Sequence, residues 1–292
     1  VTMPRPNRWT WGTPSRGYVD VRLSSWKYFG DFVYQEMLDY DSYVWRAQRC
    51  DDWKLEPTID RLLRNAKVPA TREPKFRAKH LEQFKYAARG RRGSNPPPLE
   101  DENGWWALGQ HHGLATPLLD WTTSPFVAAY FAFIEVDEPQ TRHRAIFALH
   151  RPTVEKRARG KARDENARRR EQLADAEKTG AKLGIIRRVM LEAKAEPEVQ
   201  FIRPMSDENQ RLVNQGGLFT RSPASKPLED WVQENHAEED KGYTLIKVLV
   251  PNKDRDSSLR YLNRMNINHL SLFPDLFGAS MFCNLFSEID RY

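Results

Sequence analysis

The chain has 292 residues, 39% of them hydrophobic and 11% aromatic, which excludes a disordered or collagen-like polymer and supplies a sizeable core. At one domain per ~150 residues, that length makes one large domain or two small ones. The formal charge, 46 − 40 = +6, is mildly basic and far from histone-like.

That charge is local. Residues 153–195 hold thirteen Lys/Arg and seven Asp/Glu, and 13 − 7 = +6 is the whole net charge. Such a segment is either an electrostatic footprint for nucleic acid or a helical hairpin kept in water by its charges. Cys50 and Cys283 cannot build a disulfide framework and have no zinc-ligand company, so both are expected as plain core residues in a reduced compartment. The longest uncharged apolar run, residues 126–134, falls short of the ~20 residues a membrane-spanning helix needs. The opening VTMPRPNRWTWG lacks a positive-then-apolar leader pattern. A soluble, cytoplasmic protein with no membrane contact is the expectation.

In chain order, residues 1–20 are rich in Pro, Gly and Arg and read as an irregular lead-in. Trp26, Phe29, Phe32, Met37 and Leu38 form the roughly periodic side of a helix. Tyr43-Val44-Trp45-Arg46 is aromatic and β-branched, the composition of a strand. Pro57 opens a short helix with Ile59, Leu62 and Leu63 on its apolar face, and a second helix covers about 73–88. Residues 89–98, RGRRGSNPPP, are a loop. A helix runs through Trp105–Leu108 and stops near Gly113. Thr116-Pro117 connects to Leu118-Leu119-Asp120. Pro125 then opens a helix capped by Ser124 or Thr123, with Phe126, Ala129, Tyr130 and Phe133 on one face.

Residues 145–150 are a strand candidate. The charged segment follows, without an apolar stripe in its first half but with Leu183, Ile186, Met190 and Ala193 in its last turns, and Gly180 and Gly184 mark a break. Further strands are expected at 199–202, 217–221 and 243–250, the last central because it is almost continuously apolar. Helices are expected at about 228–234, 254–265 and 274–288. With no regular βαβ alternation, the fold class is α+β: a mixed or antiparallel central sheet flanked by helices.

Phosphate-loop, dinucleotide-fingerprint, zinc-protease and nucleophile-elbow motifs are missing from the sequence. What stands out is Gln110, His111, His112, Thr116, Asp120, Trp121, Thr122, Thr123 and Ser124 within fifteen residues. Single members can cap a helix or satisfy a core carbonyl. Capping uses one oxygen acceptor, however, and the group offers two histidines, an aspartate and several hydroxyls. Arg46 beside Gln48 is either ion-paired or a fork for an anion. Gly216-Gly217 enters a strand where the backbone can approach a ligand closely.

These residues carry a resemblance. Trp45-Arg46-Ala47-Gln48 followed by Leu55, Pro57 and Arg61, then Gln110-His111-x-Gly113-x-x-Thr116-x-Leu118-Leu119-Asp120-Trp121-Thr122-x-Ser124-Pro125, resemble the FRG domain family. So do Pro204, Asn209, Arg211, Gln215-x-Gly217-x-Phe219-Thr220 and residues 272–276. Ala47 stands where the family has Gly. The resemblance places an FRG domain over 21–292, with the charged helical insertion at about 153–195.

A weaker likeness joins the order Arg46, Thr122-Thr123-Ser124, Ala128 and Phe131 to ADP-ribosyltransferases. It implies an ADP-ribosyltransferase-like fold and an enzyme using NAD as substrate on a macromolecule such as RNA or DNA. Arg46, Gln48, Thr116, Thr122, Ser124 and Arg211 would bind NAD, while His111 and Asp120 would organise the pocket. Gln215 or Glu198 would act late. A toxin or phage-defence effector with an antitoxin-like partner fits that activity. The alternatives are a nucleic-acid-binding or RNA-cleaving module without NAD, and a non-catalytic sensor or interaction domain. No metal site is expected.

Overall fold

The structure is a computed structural model describing residues 7–39, 41–91, 96–135, 141–179, 184–203 and 210–292, the side chains of Ile186 and Gln210 apart. In chain order the elements are β1 (Trp9–Trp11), β2 (Tyr18–Leu23), α1 (Phe29–Phe32, extended by a π-helical turn Val33–Met37), β3 (Tyr43–Gln48), α2 (Thr58–Asn65), α3 (Glu73–Ala87) and α4 (Glu102–His111). Next come β4 (Leu118–Thr122), α5 (Pro125–Phe133), β5 (His143–His150), α6 (Arg151–Thr179), α7 (Ile185–Glu192), β6 (Gln200–Ile202) and α8 (Gln210–Asn214). The chain continues with β7 (Gly217–Arg221), α9 (Leu228–Glu234), β8 (Leu245–Pro251), α10 (Arg255–Arg264), α11 (His269–Leu272) and α12 (Leu276–Glu288).

The strands form one mixed sheet in the order β1-β2-β8-β5-β3-β4-β7-β6, in which only β2 and β8 run parallel. Helices cover both faces. On β5, Ile146 and Ala148 join the core under α1, α5 and α10, while Ala145, Phe147 and Leu149 join the core under α9 and the start of α6. Burial on both faces is why β5 and β8 read as nearly unbroken apolar runs. A third cluster lies between α2, α3 and α4 and the strand residues Leu118 and Phe219.

Several expectations are corrected. Within the expected lead-in, the described residues 7–20 hold β1 and half of β2, and β2 alternates buried Val19, Val21 and Leu23 with more exposed residues. Gly17, at φ +77°, makes the tight turn into β2 that hid this period-two signal. Residues 118–122 and 210–214, to which the sequence reading assigns no element, form β4 and the short α8. Leu38 and Leu62 are exposed. Gly180, Leu183, Pro204 and Asn209 lie outside the described residues.

The charged segment begins at Arg151 as one long helix with Val154, Ala158 and Ala176 buried, so its first half does have a narrow apolar side. Many of its cations are paired: Arg151 with Glu155, Arg157 with Asp240, Lys161 with Glu198, Arg169 with Glu165 and Arg188 with Glu192. Helix α7 folds back on α6, where Arg169 donates to the carbonyls of Met190 and Ala193 at 3.1 and 2.9 Å. The segment is thus a helical hairpin whose cations are in part paired, both within it and to Glu198 and Asp240 outside it. No helix among the described residues is long and apolar enough to cross a membrane.

Buried His269 shares a 2.5 Å hydrogen bond with the Tyr130 hydroxyl, and burial lowers its pKa. Its contribution to stability is complete above the unfolded value of about 6.5 and is lost as the pH falls through the lowered folded value. The melting-temperature gap between wild type and His269→Gln should therefore narrow from pH 7.5 to 5.5. A constant gap would contradict this.

Candidate functional site

The sheet is nearly parted at one seam. Strand β3 pairs with β5 along its whole length, but with β4 at a single position, Trp45 with Thr122. Beyond that position a side chain replaces the ladder: Arg46 Nη1 donates to the Asp120 carbonyl at 2.8 Å and to its carboxylate at 3.2 Å. Such a seam exposes strand groups that a ligand can reach.

A cavity of about 290 Å³ sits there, lined by Trp45, Arg46, Ala47, Asp120, Trp121, Thr122, Ala128, Phe131, Gln215 and Phe273. The β3 end supplies Arg46, β4 supplies Asp120 and Thr122, and the turn before β7 supplies Gln215. Helix α5 supplies Ala128 and Phe131. Its position follows from the sequence: Pro125 opens the helix, and the Ser124 hydroxyl accepts from the Val127 amide at 3.3 Å. Ala128 and Ala129 let it lie close on β3.

A polar chain backs the cavity. Gln110 donates to the Asp120 carboxylate at 2.9 Å and accepts from the Thr116 hydroxyl. The buried Thr116 also donates its amide to the Thr58 hydroxyl at 2.9 Å, tying α2 to the start of β4. Asp120 is thus held from two sides while its carboxylate stays 56% exposed, so the ion pair itself adds little stability. Arg46 Nε is buried without a hydrogen-bond partner among the described residues.

The sequence-derived candidates divide accordingly. Arg46, Asp120, Thr122 and Gln215 meet at the cavity. The Thr122 hydroxyl donates to the Gln215 carbonyl at 2.6 Å and accepts from the Ser124 amide at 3.0 Å, which ties β4 to the turns before α5 and β7. Ser124 is the cap of α5. Thr116 is a buried strut. Gln48 faces away, donating to the Lys54 carbonyl at 3.0 Å.

His111 is not among the residues that line the cavity, and it feels the charges of Arg211 and Asp275. Burial lowers its pKa first, with His112 and Arg211 adding to the effect. Arg211 pairs with Asp275 and lies 5.3 Å from the Phe273 ring, bracing that wall from behind.

Glu198 is not brought to the seam. It lines a separate cleft of about 970 Å³, accepting from Trp231 Nε1 at 2.6 Å and Lys161 at 2.7 Å. Burial there opposes its ionisation, but those two donors outweigh it and hold the carboxyl low. Among the described residues no cluster of three or more metal-ligating side chains occurs.

The sequence reading quotes Phe131 and Phe273 only within motifs and not as site residues: Phe131 lies on a helix, where an apolar residue looks like core, and Phe273 follows α11 in extended backbone. Phe273 depends on Gly278. A Cβ at 278 would run into the Phe273 carbonyl oxygen, and would lie 2.7 Å from Phe273 Cβ and 2.8 Å from the His269 carbonyl oxygen. Gly278→Ala should cost about 1–3 kcal/mol by overpacking, read as a lower urea midpoint. An unchanged midpoint would refute this packing.

The FRG domain model matches residues 41–141 of the chain. No curated protein and no solved structure matches it.

Proposed function

We propose for this cavity an NAD-dependent ADP-ribosyltransferase-like activity on a macromolecular acceptor; the segment matched by the FRG domain model, residues 41–141, brings Arg46, Asp120 and Phe131 to it, and Gln215 and Phe273 come from beyond that segment. The observation that carries the reading is the meeting of Arg46, Asp120, Gln215 and the rings of Phe131 and Phe273 around one opening. Cleaving the nicotinamide–ribose bond builds positive charge on the sugar and needs the diphosphate held still.

Arg46 offers a guanidinium to a phosphate, and the aromatic walls suit the nicotinamide ring. Asp120 supplies a carboxylate near the developing cation. The C1′–N bond breaks with its electron pair leaving on nicotinamide. The acceptor's nucleophile bonds to C1′, and its proton passes to a base, for which Asp120 is the carboxylate at the cavity. Gln215 donates to the Leu272 carbonyl at 3.2 Å and keeps its amide oxygen for a ribose hydroxyl.

Nucleic acid is the first acceptor to try, and a toxin or defence effector with an antitoxin-like partner would suit such an activity. The test incubates the protein with nicotinamide-labelled and adenine-labelled NAD, together with RNA, DNA and cell lysate. Nicotinamide release with adenine label on a polymer is expected. RNA cleavage without any NAD turnover would replace this reading with that of an RNA-cleaving module.

A further inference from the structure

Asp120 has two carboxylate oxygens, and its neighbours treat them differently. Gln110 Nε2 and Arg46 Nη1 both donate to Oδ2, at 2.9 and 3.2 Å. Oδ1 has no hydrogen bond among the described residues, on a side chain that is exposed and belongs to the cavity lining.

The direction of the Gln110 amide is set from the protein interior. Thr116 is 0% exposed and is pinned to the start of α2. Its amide donates to the Thr58 hydroxyl at 2.9 Å, and its carbonyl accepts from the Ile59 amide at 3.2 Å. The Thr116 hydroxyl accepts from the Leu118 amide at 3.2 Å and gives its single proton to Gln110 Oε1. The glutamine therefore turns its NH2 to Asp120. A flipped amide would set an oxygen against the carboxylate, a repulsive pair. Gln110 sits in the last turn of α4 and is not among the residues that line the cavity, so it reaches a ligand there only through Asp120.

We propose that Gln110 is a positioning residue for the reaction at the seam: with Arg46 it holds Asp120 Oδ2 and leaves Oδ1 as the oxygen that meets the ligand. The role rests on the transferase reading. Thr116 acts one step further back, by fixing which end of the Gln110 amide faces Asp120. Without Gln110 the carboxylate keeps one side-chain donor, Arg46 Nη1, and can pivot about it. A shift of about 1 Å in a reacting group can cost roughly a hundredfold in rate.

The experiment measures steady-state nicotinamide release from NAD at pH 8 for wild type, Gln110→Leu, Gln110→Glu, Thr116→Val and Thr116→Ser, with melting temperatures to check folding. Gln110→Leu should lower kcat about tenfold or more and leave KM within about twofold, because the side chain touches no ligand. Gln110→Glu keeps the shape and the acceptor for Thr116 but sets a second carboxylate against Asp120, and should cost at least as much. Thr116→Val should lower kcat in wild type and add nothing in Gln110→Leu protein. Thr116→Ser retains the hydroxyl and should recover most of that loss. Wild-type kcat in folded Gln110→Leu and Gln110→Glu proteins would overturn the positioning role and leave the transferase reading standing. Absence of release from wild type would end both.

Discussion

Arg46→Ala is expected to lower nicotinamide release from NAD at least about a hundredfold, the scale of losing a charge-assisted, transition-state-oriented contact. Arg46 is the strand-borne cation at the cavity, and the same side chain closes the seam through the Asp120 carbonyl and carboxylate. Removing it therefore takes away the proposed phosphate contact and releases Asp120 from one of its two restraints, the other being Gln110. Arg46→Lys keeps the charge but loses the fork, and should recover only a small part of the rate. Stability should change little, because the pair is partly exposed. Release unaffected in a folded Arg46→Ala protein would place the chemistry elsewhere.

Arg144→Met should produce the largest loss of stability away from the cavity. Arg144 is 1% exposed, and its pKa is pushed down to about 10, first by burial and then by Arg255. Its partners are neutral oxygens: Asn252 Oδ1 at 2.7 Å, the Ala132 carbonyl, and the Glu135 carbonyl at 3.4 Å. Arg255 adds bonds to the Phe133 and Ile134 carbonyls at 3.0 and 3.3 Å.

Together the two arginines satisfy the carbonyls that the end of α5 leaves unbonded, where a cation also suits the helix dipole. Removing Arg144 leaves buried acceptors unpaired, at about 3 kcal/mol in all. For a chain of this size the melting temperature should fall by about 6–12 °C. Because α5 carries Ala128 and Phe131 into the cavity, NAD affinity should fall with it. A variant as stable as wild type would show that these bonds are dispensable.

Much of the fold was legible because the signals are local. Ser124-Pro125 announces α5 through a cap and a proline, and both appear in their expected places. The apolar run that ends at Val250 is central because it is buried on both faces. Strand β4 was not legible, since Asp120, exposed in its middle, breaks the pattern of a short buried strand. Ser124 and Thr116 are also instructive. Both are expected from the resemblance to bind NAD, yet one hydroxyl caps a helix and the other ties Gln110 to the start of β4. A polar side chain in an apolar setting must find a partner, and the sequence cannot say whether that partner is backbone or ligand.

By itself, the order of residues determined the α+β class, the places of most helices, the capping of α5, and the arginine, aspartate and glutamine that would matter if they met. The tertiary structure alone decided that they do meet, that Glu198 goes to another cleft, and that Phe131 and Phe273 become cavity walls. The reason is strand register. Pairing of β3 with β4 at one position and with β5 at six depends on contacts between residues far apart in the chain, and that mismatch opens the seam.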